Sequence, residues 1–218
     1  MKINHTRLES WKMGRLITEW IYKTPARVTA QKLNLNHKTV DLWYGKIRSH
    51  LLKHPHEPFF SGEVEIDETY LGNGISGQTK TATADKVAVF GILERKSKQV
   101  WATVVPGTSA GILIPHILDH VAHGSTIYSD GYGAYYHLKR MEYRHHIVPH
   151  EYVYSRGYGV HSNGIESFWA YLQSLLNSRK GLPRRCYEAH VREAVFRFNN
   201  RDPHKLRYAL KRILNSED

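Results

Sequence analysis

The chain has 218 residues, 41% of them hydrophobic, with 31 Lys/Arg, 20 Asp/Glu, 15 His and a formal charge of +11. Its one cysteine, Cys186, excludes an intrachain disulfide framework and a cysteine-based zinc ribbon. No run of about 18 apolar residues offers a membrane span, and the first residues lack the apolar core of a signal peptide, so a soluble cytoplasmic protein is expected.

The charge is uneven along the chain. Residues 1–60 carry 11 Lys/Arg and 4 Asp/Glu, residues 61–150 carry 8 and 9, and residues 151–218 carry 12 and 7. Basic flanks attract a phosphate backbone without regard to sequence, and a more acidic middle suits metal cations.

Leu16, Ile17, Trp20 and Ile21 recur at helical spacing, so residues 7–23 read as an amphipathic helix. Thr24-Pro25 opens a second helix, Asn34-Leu35-Asn36 is a short turn, and a third helix runs over residues 37–52. Val40, Trp43, Ile47 and Leu51 form its inner face, while Lys38, Tyr44, Lys46 and Arg48 stand on the outer face as candidate DNA contacts. A three-helix packing module would show the same pattern, but the charge surplus favours a DNA-binding helix-turn-helix. This domain is expected over residues 1–54, with a Pro-containing linker at 55–61 and a second domain over 62–218.

From Ser61 the period falls to two. Residues 63–70, 87–93 and 100–105 read as strands, with a mobile hairpin loop between Gly72 and Asp85. A helix over 109–122, a fourth strand at 125–129, a short helix and a fifth strand near 143–148 follow. Helices over 163–178 and about 184–199, and a further helix or turn to Leu214, close the chain. The order implies an α/β mixed five-stranded sheet covered by helices.

Three acids stand where a shared site is expected. Asp67 lies on the first strand, on one face with Glu63 and Glu65; Asp130 ends the fourth strand at Gly131; Glu166 lies in the first turn of a helix. Carboxylates converging from distant elements suit Mg2+, and two such ions can hold the attacking and leaving oxygens of a phosphoryl displacement. Each acid also has a plainer reading: a polar residue on a solvated strand, a turn dipeptide, or the partner of Asn163 in a capping box. His116, His120 and His123 share one side of a helix but have no acid to complete a metal site, and read as surface or partner-facing histidines. His145, His146, His150 and His161 lie nearer the acids. Arg179, Arg192, Arg197 and the other C-terminal cations read as a phosphate-tracking face, and Trp169, Tyr171, Phe196 and Phe198 as core.

Four segments in order, Val64–Gly72, Lys86–Arg95, Gly124–Tyr132 and His161–Trp169, resemble the DDE transposases of bacterial insertion sequences, in the ISXO2-like, Merlin-related group. The resemblance covers about residues 1–200. It implies a ribonuclease H-like core behind an N-terminal DNA-binding module, with Asp67, Asp130 and Glu166 as catalytic metal ligands for Mg2+ or Mn2+. Asn163 is the alternative third ligand, and His161 is the histidine to test first. The chain departs from its relatives in lacking a zinc ribbon, in a loop poor in Lys/Arg between Gly74 and Asp85, and in carrying Gln173-Ser174 where relatives show Lys-Arg.

The expected activity is therefore transposition: binding to the terminal inverted repeats of the element, metal-dependent cleavage, and strand transfer into target DNA. The expected assembly is a homodimer or larger on double-stranded DNA in the nucleoid. Two alternatives remain at this point: a helix-turn-helix regulator with a non-catalytic second domain, and a nuclease that cuts without joining.

Overall fold

The structure is a computed structural model that describes residues 8–55, 57–72, 86–148, 163–177, 179 and 182–215. The chain divides into two compact units, Met1–Pro55 with Asn199–Asp218, and His56–Phe198. The segments carrying His150 and His161, and the loop from residue 73 to 85, lie outside the described residues. No described helix is long and apolar enough to cross a membrane.

The first unit is helical: α1 (Ser10–Ile21), α2 (Ala26–Leu33), α3 (His37–Lys53) and, from the far end of the sequence, α7 (Pro203–Asn215). Met13, Leu16, Ile17, Trp20 and Ile21 of α1 are buried, as are Val40, Trp43, Ile47 and Leu51 of α3. The turn between α2 and α3 rests on two asparagines. Asn34 takes a left-handed conformation with φ of 49°, and Asn36 accepts the Lys38 amide at 2.9 Å. A short amide side chain tolerates positive φ and also satisfies an orphan helix N–H, which is why Asn serves at both positions. The α7 helix packs on α1 and α3 with Leu206 and Leu210 buried, and Arg207 donates to Thr18 Oγ1 at 2.7 Å.

Tyr44 corrects the reading of the outer face of α3. It is only 6% exposed, its hydroxyl lies 2.9 Å from Thr29 Oγ1, and it donates to the Thr24 carbonyl. Four residues after Val40 is one helical turn, so Tyr44 follows Val40 inward. Lys38 and Lys46 are exposed, and Arg48 is half-buried.

The second unit is built on β1 (Glu63–Leu71), β2 (Val87–Glu94), β3 (Val100–Val105), β4 (Thr126–Ser129) and β5 (Arg144–Ile147), in the order β3-β2-β1-β4-β5. The first three strands are antiparallel, and β4 and β5 run parallel to β1. This is the mixed five-stranded sheet expected from the sequence, with α4 (Ala110–His120), α5 (Asn163–Asn177) and α6 (Tyr187–Asn199) flanking it. Two 3-10 turns, Gly133–Tyr135 and Leu138–Met141, stand where a short helix is expected before β5.

Both faces of the sheet are covered, so the central β2 reads as an unbroken apolar run rather than an alternating one. On one face Val64, Ile66, Phe90, Ile92 and Trp101 pack with Leu113 and Ile117 of α4. On the other, Val89, Leu93 and Ala102 pack with Ile165, Phe168, Trp169 and Leu172 of α5 and Val191, Ala194 and Val195 of α6. The spacing 165, 168, 169, 172 is the apolar stripe of a helix lying on a sheet.

The α6 helix also corrects part of the basic C-terminal face. Arg179 and Arg197 clamp the fully buried Glu193, at 2.8 Å each. Burial opposes ionisation there, but Arg197, His190 and Arg179 hold the Glu193 carboxyl well below its ordinary range. Arg192 bonds Glu188 and Glu57. Glu188 in turn accepts the Val104 amide at 2.6 Å, which occupies the outer edge of β3.

Candidate active site

The alternation of β1 decides which acids share a face. Val64 and Ile66 point into the α4 core, so Glu65 and Asp67 point toward α5 and Glu68 points back toward α4. In the parallel pairing of β1 with β4, Glu65 lies opposite Tyr128. Two residues further along, Asp67 is level with position 130, where Asp130 follows the end of β4. Neighbouring strands lie about 4.8 Å apart, so this register sets two carboxylates side by side. Glu166 stands in the first turn of α5, and its charge acts on Asp67.

Each of the two strand acids is oriented by a donor. The Trp169 indole Nε1 donates to Asp67 Oδ2 at 2.9 Å, and the Tyr132 amide donates to Asp130 Oδ1 at 3.0 Å. Trp169 reaches Asp67 because Gly91, opposite Asp67 on β2, leaves room for its ring. A Cβ at Gly91 would lie 2.6 Å from Trp169 Cη2. Burial pushes the Asp67 carboxyl up to about 6, against the Trp169 hydrogen bond, and the charges of Asp130 and Glu166 push the same way.

Two further groups support this arrangement, and neither stands out as a site residue in the sequence. Glu65 is 3% exposed; it accepts the Ile165 amide at 2.9 Å and the Arg95 Nε at 2.9 Å. It therefore caps the start of α5 from a strand and fixes where Glu166 sits. Gly164 makes this approach feasible, since a Cβ there would lie 2.8 Å from Glu65 Oε2. On the opposite face, the buried Tyr135 donates to Glu68, tying the segment after Asp130 to β1. Burial pushes Glu68 up to about 7, and burial followed by the Glu68 charge pushes the Tyr135 phenol upward. A sequence signal exists only for Trp169, whose place at i+3 from Glu166 puts the two within one turn of α5.

The remaining candidates are placed as follows. His161 lies outside the described residues, and α5 begins at Asn163, whose side chain is also outside them. His145 is buried with Nε2 2.8 Å from Ser129 Oγ, and burial lowers its pKa; His146 is exposed and stacks on Tyr128. His120 is not a surface residue: it is 8% exposed, packs against Trp101, and bonds the Pro58 carbonyl and Glu57. Its neighbour His116 packs at a tilt against the same tryptophan, because a helix covering a sheet buries one residue per turn. Among the described residues, no three His, Cys, Asp or Glu side chains close on one point as a complete metal cage.

Comparison with known proteins follows the same segments. Over 102 residues the chain is 29% identical to an "Uncharacterized transposase-like protein" of Haemophilus influenzae, covering 47% of this chain and 82% of that one. Among solved structures it is similar to a chain in the cryoEM structure of the simian T-cell lymphotropic virus intasome in complex with PP2A regulatory subunit B56 gamma. That match has 14% identity, a TM-score of 0.41, and covers 64% of this chain and 48% of that one, about half its length. The catalytic core domain of BIV integrase matches at 15% identity and a TM-score of 0.43, covering 70% of this chain and 97% of that one. The family model for the ISXO2-like transposase domain matches residues 59–199, a span that holds the whole sheet, α5, α6 and all three acids, and the chain belongs to that family.

Proposed function

We propose that this protein is a transposase that binds the ends of its insertion sequence and catalyses metal-dependent strand cleavage followed by strand transfer. The observation that supports this reading is that the charges of Asp130, just past the end of β4, and of Glu166 on α5 both act on Asp67 of β1, whose strand pairs in parallel with β4. Membership of a transposase family supports it.

The donor set fits a hard divalent cation, because carboxylate oxygens are the ligands such ions take. Asp67, Asp130 and Glu166 would hold Mg2+, or Mn2+ in its place, with Asn163 as the alternative third ligand. Mg2+ is usually held by one or two carboxylates together with water and substrate phosphate, so a site without a full protein cage suits it. When bound, the ions supply charge stabilisation for an in-line displacement at phosphorus.

The chain's own residues prepare that step. Trp169 and Tyr132 fix the two strand carboxylates before substrate arrives. Above pH 6 Asp67 is mainly ionised and ready to bind a cation. Water displaces the 3′-oxygen of one phosphodiester, leaving a 3′-hydroxyl and a 5′-phosphate. That 3′-hydroxyl then attacks a target phosphodiester and displaces its 3′-oxygen. Lys38, Lys46 and Arg48 on the outer side of α3 would contact the duplex, without Tyr44. Two element ends require two active sites, so the assembly on DNA is a dimer or larger.

Asp67→Ala, Asp130→Ala and Glu166→Ala should each abolish Mg2+-dependent cutting of DNA that carries the element ends, while gel-shift affinity for those ends persists. Full cleavage by the Asp67→Ala protein overturns the proposal.

A further inference from the structure

The end of β1 and the segment after Asp130 also carry, on the α4 side of the sheet, exposed aromatic rings that the chemistry above does not use. Tyr70, near the end of β1, is 53% exposed, and Tyr132, two residues after Asp130, is 43% exposed. Their hydroxyls converge on one side chain: Thr108 Oγ1 lies 3.2 Å from the Tyr132 hydroxyl and 3.5 Å from that of Tyr70. Tyr132 also packs edge-on against the buried Tyr135, with centroids 6.2 Å apart. The polar ends of both rings are thus occupied while their surfaces stay open. Large exposed rings held in this way offer contact area with little further entropy to lose.

Their position relative to the acids is fixed by the backbone. The Tyr132 amide is the group that bonds Asp130 Oδ1, so this ring is covalently and geometrically tied to a proposed metal ligand. Tyr70 lies opposite Ala88, two residues after Lys86. Lys86 and Arg184 are both exposed, and Arg184 donates to the Lys86 carbonyl, so cationic groups stand at the same end of the sheet. Open ring faces and cations at one end of the sheet, near a site proposed to take phosphodiesters, match an unpaired nucleotide: the base stacks and its phosphate meets the charge. A fully paired base hides its face in the duplex and has nothing to offer such rings.

We propose that Tyr70 and Tyr132, pinned by Thr108, form a stacking rim on the α4 side of the sheet end for an unpaired base of the DNA strand that passes Asp130. The inference rests on the proposed function and adds the substrate form, a duplex opened at the reacting end. Stacking on an aromatic side chain reads no sequence, so the test does not need the element's own termini.

The test uses the full chain with two fluorescent probes: a blunt duplex, and the same duplex with a short unpaired flank carrying 2-aminopurine. Binding is read in Ca2+, which occupies carboxylate sites with looser geometry than Mg2+. The unpaired probe should be quenched on binding and should bind more tightly than the blunt one. Tyr132→Ala, and Tyr70→Ala with it, should abolish the quench and weaken the unpaired probe roughly tenfold, with little change for the blunt duplex. Tyr132→Phe, which keeps the ring and loses the hydroxyl, should retain the quench. A quench that survives the double alanine variant overturns the rim, as does an equal loss of affinity for both probes. Mg2+-dependent cutting is measured separately on the same proteins. A wild-type chain that quenches the probe in a Tyr132-dependent way but never cuts DNA refutes the proposed function and leaves the rim standing.

Discussion

Asp67 is where solvation and the proposed ion oppose each other. Burial holds its carboxyl up near 6 against an ordinary 3.8, and its neighbour Glu68 is pushed up to about 7 for the same reason. A group whose pKa is raised by folding binds its proton more tightly in the folded chain. Its contribution therefore favours the fold fully below about pH 4 and is lost as pH climbs through 6. Above that, the ionised carboxylate is a standing cost on the order of 3 kcal/mol, at about 1.4 kcal/mol per pH unit. Asp67→Asn removes the charge and keeps an acceptor for the Trp169 N–H. Thermal melts without divalent metal should show this variant several degrees more stable than wild type at pH 7.5, with the gap narrowing by pH 4.5. A gap independent of pH would mean that Asp67 is not the strained group. The identity of this acid was legible from its strand and from the family motif. The balance that sets its pKa was not, because burial comes from tertiary packing and the opposing hydrogen bond comes from Trp169, 102 residues away.

Between β1, β2 and α5, one contact sets both packing and the site. Asp67 pairs with Gly91, Trp169 fills the space that Gly91 leaves, and its indole then reaches Asp67. An alanine at 91 places its Cβ 2.6 Å from Trp169 Cη2, 2.9 Å from Cζ2 and 3.1 Å from Ile165 Cδ1. The ring cannot swing aside without breaking its bond to Asp67. Gly91→Ala should therefore destabilise the second unit by about 1–3 kcal/mol, and should reduce Mg2+-dependent cutting beyond that loss. Denaturant melts alongside cutting assays at a temperature where the variant is still folded check both parts. Normal cutting by a folded Gly91→Ala protein would separate the ring from the site. Here the sequence was informative about elements and silent about their joints. Period-two and period-3.6 patterns placed all five strands and α5 within a few residues, since each is a local property. Glu65 looks like any strand acid, and its role as the cap of α5 exists only once Ile165 is beside it. Tyr44 failed for a related reason: a phenol next to Lys46 looks solvated until Thr29 and the Thr24 carbonyl supply its partners.

At the level of the whole molecule, charge follows the two units more sharply than it follows the sequence. The helical unit, residues 1–55 with 199–218, has 16 Lys/Arg and 6 Asp/Glu, a formal +10. The sheet unit, residues 56–198, has 15 and 14, a formal +1, and Arg95, Arg179, Arg192 and Arg197 are engaged by Glu65, Glu188 and Glu193 within it. The basic C-terminal segment thus splits: α6 spends its cations on internal pairs, and α7 adds its own to the helices that hold Lys38 and Lys46. Truncation to residues 60–218 would strip α7 of α1 and α3, so point substitutions are the sound way to locate the DNA footprint. Neutralising Lys38, Lys46, Lys205, Lys211 and Arg212, all exposed, should weaken duplex binding and flatten its salt dependence. Every cation–phosphate pairing removed in this way should reduce the slope of log affinity against log salt by about 0.9. Neutralising Lys96, Lys139 and Arg140 on the sheet unit should leave that slope nearly unchanged, and so should Asp67→Asn. Fluorescence anisotropy of a labelled duplex between about 50 and 200 mM salt measures this. An unchanged slope in the first variant would move the footprint off the helical unit, since counterions are released only where cations meet phosphates.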